Sequence, residues 1–85
     1  MENCFLGMKV NFCNAFWEIC KIYNIDYETL RECFILDPRV NNSHTYVYND
    51  KPYWDSKCLN KDIPALAYAT NNHLLLNLLD YNKEL

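Results

Sequence analysis

Residues 3–23 carry apolar side chains along two lines, and this pattern constrains the fold more than any other feature of the chain. Within each line the apolar residues recur every three or four positions, as on one side of a helix. Together the lines cover well over half of the helix surface, so we predict one long helix that is buried on two sides. One side would face its own domain and the other a partner chain. The first line is Leu6, Val10, Cys13, Trp17 and Cys20, and the second is Phe5, Met8, Phe12, Phe16, Ile19 and Tyr23.

The chain as a whole holds more apolar surface than a small domain easily hides. Its 85 residues suffice for one domain, of a size that is only marginally stable alone. Hydrophobic residues make up 51% of it, including seven Tyr, four Phe and two Trp. A dense aromatic core is one interpretation. The interpretation that we favour is a homodimer, in which each copy buries one face against the other.

Charge and hydropathy exclude several classes of protein. The formal net charge is −3 and the basic residues form no cluster, which argues against nucleic-acid binding. No apolar run is long enough to span a membrane, and the first residues lack the charged and then apolar layout of a signal peptide. We therefore expect a cytoplasmic protein that contacts neither nucleic acid nor membrane.

A short helix and a long irregular loop are predicted after the first helix. Asp26 is placed to cap a helix that runs to Phe34, and Pro38 ends it. Residues 39–60 are rich in polar and aromatic residues without a sustained period, and only residues 45–48 alternate as a short strand would. A loop of this length is typical of a binding or active-site segment.

Two further helices are predicted after the loop. Asp62 is the predicted N-cap of the first, with Pro64 in its opening turn, where a missing N–H costs nothing. After a polar break, the leucine-rich residues 74–79 begin the second. The sequence therefore predicts a small all-α domain with one long N-terminal helix, two to three shorter helices and the irregular loop at residues 39–60.

The five cysteines indicate neither a disulfide framework nor a metal site. Their number is odd, no CxxC spacing occurs, and no paired histidines lie nearby. Four of them fall within apolar helical patterns and are predicted to be packing residues in a reducing compartment. These four are Cys4, Cys13, Cys20 and Cys33.

Cys58 alone has polar neighbours, just before the predicted start of a helix. Lys57 and Lys61 place positive charge on either side of it, and the free N–H groups of a helix start stabilise a thiolate. Asp62, one turn further on, is placed to handle a proton or a water molecule. A lone cysteine is more often a small packing residue, and that alternative stays open on these residues alone.

Four blocks of the chain follow one another in a distinctive order. They are Asn3-x-Phe5-Leu6-x-x-Lys9-Val10, Asn24-Ile25-Asp26-Tyr27-Glu28, Leu36-Asp37-Pro38-Arg39-Val40-x-Asn42-Ser43-His44 and Lys57-Cys58-x-x-Lys61-Asp62-x-x-Ala65-Leu66. Their order and spacing resemble those of the central domain of UDP-glucose 6-dehydrogenase. The related GDP-mannose and UDP-N-acetyl sugar dehydrogenases share the layout, so the resemblance specifies the family more closely than the sugar.

The resemblance implies a covalent oxidation at Cys58. In such enzymes the matching cysteine attacks the sugar aldehyde to give a thiohemiacetal, a hydride passes to NAD, and the resulting thioester is hydrolysed. Asp62 matches a carboxylate that orients or activates the hydrolytic water. Asn3 matches an amide that hydrogen-bonds near the developing oxyanion.

Substrate contacts and dimer contacts are implied in the same way. Arg39 matches an arginine that reaches the substrate of the neighbouring subunit, although from the residues alone a surface salt bridge is the alternative. Trp54 stands at the aromatic position of the family's loop, and Lys61 lies either near the cofactor phosphates or in solvent. The family's dimerisation element matches the long N-terminal helix. Its contact residues here would be Leu6, Val10, Cys13, Phe16 and Trp17.

The chain departs from the family before the cysteine and in its domains. The family's loop reads Gly-Phe-Gly-Gly, whereas Tyr53-Trp54-Asp55-Ser56 stands here. Asp55 and Ser56 add side chains and a negative charge where a diphosphate-bearing sugar needs room. A single glycine, Gly7, excludes the GxGxxG fingerprint. Both nucleotide-binding domains are therefore predicted to be absent, and no cofactor is expected for this chain alone.

The sequence thus predicts a non-catalytic relative of the central domain that acts as a dimerisation and interaction module and keeps some affinity for a nucleotide sugar. Its partner would be a second copy, another protein or a full-length dehydrogenase. The alternative is a catalytic-cysteine part of a UDP-glucose dehydrogenase. Combined with the missing domains, such a part would oxidise UDP-glucose to UDP-glucuronate with NAD.

Overall fold

The computed structural model describes all residues 1–85 and contains four helices. They are α1 (Glu2–Ile22), α2 (Tyr27–Phe34), α3 (Lys57–Thr70) and α4 (His73–Glu84). The only β-structure is an isolated antiparallel bridge between Tyr48 and Lys51. The predicted all-α class is therefore confirmed. None of the four helices has the length and apolar character that a membrane crossing requires.

The long N-terminal helix is confirmed to within one residue at either end, and its two apolar lines have different surroundings. In the first line, Cys13 and Cys20 are each 2% exposed and pack inside the domain. In the second line, Phe5, Phe12 and Phe16 are 61%, 53% and 39% exposed. One side of α1 thus faces its own domain as predicted, and the other side is open to solvent.

Two clusters of buried residues form the core. The larger joins α1 to α3 and α4, and its centre contains Ile63 and Ala67, neither of which is exposed. The smaller lies between α1, α2 and the long segment, where the Tyr27 hydroxyl donates to the Thr45 carbonyl at 2.6 Å. Burial raises the pKa of Tyr27 well above its ordinary value, and the neighbouring Cys13 adds to the rise. The phenol therefore stays neutral and ties the long segment to α2.

Gly7 lets α1 approach α3 closely. A Cβ atom at this position would lie 2.5 Å from Cδ1 of Ile63 and 3.5 Å from Nε1 of Trp54. Both neighbours are buried, so neither can swing away into solvent. The one glycine of the chain is therefore used for helix packing and not for a turn.

Three asparagine side chains, Asn11, Asn14 and Asn82, connect α1, α4 and the residues before α3, and we call them the asparagine network. Asn11 Nδ2 donates to Asn14 Oδ1 at 3.2 Å and to Asn82 Oδ1 at 2.9 Å. Trp54 Nε1 donates to Asn11 Oδ1 at 3.0 Å. Asn82 also accepts the backbone N–H of Trp54 and donates to its carbonyl, both at 3.0 Å. These bonds hold the end of α4 against Trp54.

The helix starts are set by side-chain caps, one of which differs from the prediction. Asp26 caps α2 through its carboxylate, as predicted. The prediction for α3 is wrong, because its N-cap is Ser56 and not Asp62. The Ser56 hydroxyl oxygen accepts the Leu59 N–H at 3.2 Å. Pro64 consequently lies inside α3, where its missing N–H leaves one carbonyl without a helical partner.

Three smaller expectations are also wrong. The irregular loop ends at Ser56 and not at residue 60, because α3 begins earlier. Residues 45–48 form no strand, because the segment has no neighbouring strand with which to pair. Cys33 is exposed, because α2 buries only Tyr27 and leaves its outer side open. The packing role is confirmed for the other three predicted cysteines, Cys4, Cys13 and Cys20.

Candidate functional site

The start of α1 meets α3 at a pair of predicted site residues. Asn3 Nδ2 donates to Asp62 Oδ2 at 2.7 Å, across 59 positions of sequence. Both side chains are partly buried. Short hydrogen bonds to a carboxylate are among the stronger ones in proteins, so this bond fixes the amide and the carboxylate relative to each other.

Cys58 lies one helical turn before Asp62 on α3. Residues four apart project from the same side of a helix, so the thiol and the carboxylate are neighbours. Cys58 is exposed and lies in the first turn, where backbone N–H groups lack helical partners and the helix dipole is positive. The structure thus brings Asn3, Cys58 and Asp62 into one region of the α1–α3 surface, which we call the catalytic-type region.

The residues leading to Cys58 carry a fixed negative charge. Asn60 Nδ2 donates to Asp55 Oδ1 at 2.7 Å, and Lys51 Nζ lies 3.0 Å from Asp55 Oδ2. The Asn60 bond, followed by the Lys51 contact, lowers the pKa of Asp55 below its ordinary value. Asp55, three residues before Cys58, is therefore a carboxylate at neutral pH and is paired with Lys51.

The three predicted substrate-binding residues lie in different places. Lys61 is exposed, and its Nζ lies 3.8 Å from Asp62 Oδ1, so it joins the catalytic-type region. Trp54 is 6% exposed, with its indole bonded to the asparagine network. Arg39 lies on the long segment, where its exposed guanidinium pairs with Asp37 at 2.7 Å and lowers the pKa of that carboxyl group. Substrate contact by these three residues stays a prediction.

The five predicted dimer-contact residues lie at different depths. Cys13 is buried, Phe16 is exposed, and the other three are partly buried. Those three are Leu6, Val10 and Trp17. A direct contact with a partner is therefore open mainly to Phe16. Their role in pairing stays a prediction.

The predicted list of dimer-contact residues left out other exposed aromatic residues beside Phe16. These are Phe5 and Phe12 of α1 and Phe34 of α2, and we call the four phenylalanines the aromatic face. The ring centroids of Phe12 and Phe16 are 4.9 Å apart, and those of Phe12 and Phe34 are 6.1 Å apart. A cavity of about 170 Å³ lies beside them, between α1 and α2. The signal was the second apolar line of α1, although its spacing did not show that it stays uncovered.

Comparison with known proteins identifies the family. The family model for the UDP-glucose/GDP-mannose dehydrogenase family, central domain, matches residues 1–84. The chain belongs to the UDP-glucose/GDP-mannose dehydrogenase family. No curated protein and no solved structure matches it. The catalytic-type region is therefore part of a dehydrogenase central domain.

The NAD cofactor implied for these dehydrogenases does not fit the residues of this central domain alone. A dinucleotide is held by a glycine-rich turn between a strand and a helix. The chain has no such strand, and its one glycine, Gly7, lies inside α1 and packs against Ile63 of α3. Nor does any group of three or more His, Cys, Asp or Glu gather as a metal site would require.

Proposed function

We propose that this dehydrogenase central domain works as a dimerisation and interaction module in which two copies pair through the aromatic face. The observation that carries the proposal is the exposure of four phenylalanines along one side of α1 and α2. Apolar side chains gathered in one patch are typical of interaction sites, whereas scattered ones are not. Buried aromatic anchors also supply much of the free energy of association at protein interfaces.

A second copy fits this face because the face extends along α1. A two-fold axis near Phe12 would bring each aromatic face against its copy in an isologous contact. The cavity between α1 and α2 is apolar except for Arg31, and it offers about 170 Å³ for a side chain of the other copy. The resemblance of α1 to the family's dimerisation helix supports the same pairing.

Side chains before Cys58 support a binding role over catalysis. Asp55 and Ser56 stand where the resemblance places glycines. Asp55 is charged and held by two neighbours, and Ser56 is engaged as the cap of α3. A diphosphate-bearing sugar that approached the thiol would be repelled by the carboxylate. This repulsion disfavours oxidation at Cys58, so an affinity for nucleotide sugars would have to come from contacts away from Asp55.

Replacing Phe12 by glutamate is expected to separate the dimer. The wild-type chain should sediment as a dimer at micromolar concentration. Phe12→Glu should raise the dimer dissociation constant at least about thirtyfold, because it removes an aromatic anchor and would bury an unpaired carboxylate. Analytical ultracentrifugation measures both species, and circular dichroism checks that both are folded.

Leu74→Glu is the matched control for this experiment. Leu74 is an exposed apolar residue on α4, outside the aromatic face, so its replacement should leave the dimer intact. A folded wild-type chain that sediments as a monomer would refute the proposal. Equal weakening by both substitutions would also count against it.

A second candidate function is the supply of a catalytic cysteine to nucleotide-binding domains carried on another chain. The 2.7 Å bond between Asn3 and Asp62 favours it, because that bond keeps a carboxylate fixed one turn from Cys58. A positioned carboxylate can activate the water that hydrolyses a covalent thioester. An interaction module does not require this arrangement.

The second candidate predicts NADH formation in a mixture. The chain would be combined with the nucleotide-binding domains of a UDP-glucose dehydrogenase, UDP-glucose and NAD, and NADH followed by absorbance. Cys58→Ser should abolish the signal, because a hydroxyl is a far weaker nucleophile than a thiolate at neutral pH. Cys33→Ser removes the other exposed thiol and should leave the rate unchanged. No NADH from the wild-type mixture would rule out this candidate and leave the dimer proposal standing.

A further inference from the structure

Two apolar hollows meet on the aromatic face, and we call them together the apolar groove. Phe12 and Phe34 line both of them. One is the cavity of about 170 Å³ between α1 and α2, and the other, between α1 and the residues after α2, has a volume of about 320 Å³. The larger one alone reaches the range of about 300 to 1,000 Å³ that is typical of small-molecule sites. Because the hollows are separate cavities with two walls in common, a molecule that fills both has to be long and flexible.

Lys9 is a cation without a carboxylate partner in the lining of the larger hollow. Its Nζ donates to the backbone carbonyls of Val40 at 2.8 Å and Asn41 at 3.1 Å. The third N–H of the ammonium group has no acceptor in the chain, and none of the chain's ion pairs involves Lys9. The residue is partly buried and lines the hollow. A partly buried positive charge that lacks a counter-charge favours the binding of an anion.

All charges in the lining of the apolar groove are positive. No Asp or Glu lines either hollow, although the chain carries eleven of these residues. The two arginines of the lining are already engaged, since Arg39 pairs with Asp37 at 2.7 Å and Arg31 donates to Thr45 at 2.8 Å. An anionic group in the groove therefore has one uncompensated partner, Lys9, and meets no carboxylate of the lining. A single positive charge beside apolar hollows suits a molecule with one carboxylate and a long apolar body.

We propose that the apolar groove binds a fatty acid of medium chain length. The carboxylate accepts a hydrogen bond from Lys9 Nζ, and the acyl chain lies against Phe12 and Phe34 and ends in the cavity between α1 and α2. Transfer of the methylene groups out of water supplies the free energy of binding, and Lys9 selects the charged end. The acid covers phenylalanines through which two copies would pair, so it competes with a second copy for the aromatic face. A monomer with the same groove binds it equally well.

Octanoate and octanol, which share one chain length, test the role of Lys9. In a heteronuclear NMR titration the wild-type chain should bind octanoate at least about fivefold more tightly than octanol, although octanol is the more apolar of the two. Lys9→Met should lose this preference and Lys9→Arg should keep it. Lys83→Met, which removes an exposed lysine of α4, should keep it as well. Because both ligands are compared on the same variant, a change in folding affects them alike.

The position of the acyl chain is tested in the same titration. Octanoate should shift the backbone amide signals of Leu30 and Phe34, which line the cavity between α1 and α2, and leave that of Leu74 on α4 in place. Phe34→Ala should weaken octanoate binding at least about tenfold, because it removes a wall of both hollows. Leu74→Ala should bind as the wild type does. The proposal is overturned by no shift at millimolar octanoate, by equal or tighter binding of octanol to the wild type, or by unchanged binding to Phe34→Ala.

Sedimentation separates this proposal from the dimer proposal. Saturating octanoate should convert the wild-type dimer into monomers, and octanoate that binds while the dimer persists would contradict its place on the aromatic face. A chain that is monomeric without ligand, yet binds octanoate through Lys9, would refute the dimer and support the fatty-acid site. Anionic phospholipid vesicles are the last comparison. A chain that binds such vesicles but not free octanoate would assign the apolar groove to a lipid surface and overturn the proposal.

Discussion

Asn82→Leu is expected to lower the free energy of unfolding by about 2 to 4 kcal/mol. Leucine can neither accept the backbone N–H of Trp54 nor donate to its carbonyl, so two backbone groups lose their partner together. Asn11 Nδ2 keeps only its bond to Asn14. For a domain of this size the Tm should fall by at least about 8 °C, as measured by thermal unfolding under circular dichroism.

Two other substitutions on α4 serve as controls for the loss of stability in Asn82→Leu. Asn77→Leu adds the same side chain at an exposed position and should change stability by no more than about 0.5 kcal/mol. Asn82→Asp retains the acceptor but loses the donor, so its effect should fall between those of the two leucine variants. Equal Tm values for Asn82→Leu and the wild type would mean that the asparagine network does not hold α4 in place.

Gly7→Ala and Ile63→Val are expected to compensate each other. The alanine methyl would lie 2.5 Å from Cδ1 of Ile63, so the overlap should cost about 1 to 3 kcal/mol. The higher helix propensity of alanine offsets about 1 kcal/mol of this cost. Ile63→Val alone should cost about 0.5 to 1.5 kcal/mol. In the double variant the alanine methyl fills the space that Cδ1 leaves. The double variant should therefore be destabilised by about 1 to 3 kcal/mol less than the sum of the two single effects.

Urea unfolding of the wild type, the two single variants and the double variant measures this coupling. The control cycle combines Gly7→Ala with Leu79→Val, which shortens another buried residue of the same core cluster that does not lie against Gly7. That pair should be additive within about 0.5 kcal/mol. Additivity in the Ile63 cycle as well would show that α1 and α3 are not in close contact at Gly7.

Sequence reasoning succeeded where the deciding interactions are local. The spacing of apolar residues defined α1 to within one residue, and Asp26 marked the start of α2. Both signals depend on neighbours within one or two turns of the chain. The two apolar lines of α1 look alike in sequence, and only the placement of the other helices shows which one is covered.

The start of α3 was missed because two capping signals compete. Asp62 with Pro64 two positions later resembles a helix start, since proline favours the first turn. In the structure Ser56 caps the helix earlier, and the additional turn buries Leu59 in the core. Burial and the added hydrogen bonds outweigh the one bond that is lost at Pro64.

The candidate site required information that spacing does not contain. Only the resemblance to a family linked Asn3 to Asp62. Their hydrogen bond joins residues that are 59 positions apart in sequence. Asn11 and Asn14 gave no warning of a buried network, because a polar residue on a helix is normally a surface residue. Asn82, the hydrogen-bond partner of Asn11, lies on the last helix, so only the assembled fold shows that the two side chains meet.

The distribution of thiols makes the chain easy to label. Only Cys33 and Cys58 reach the surface, on α2 and α3, while the other three cysteines are buried. A spin or fluorescent label on Cys33 would sit next to Phe34 and report on contact between copies. After Cys33→Ser, a label on Cys58 would report on molecules that approach the catalytic-type region. Both surfaces can therefore be followed spectroscopically without adding a cysteine.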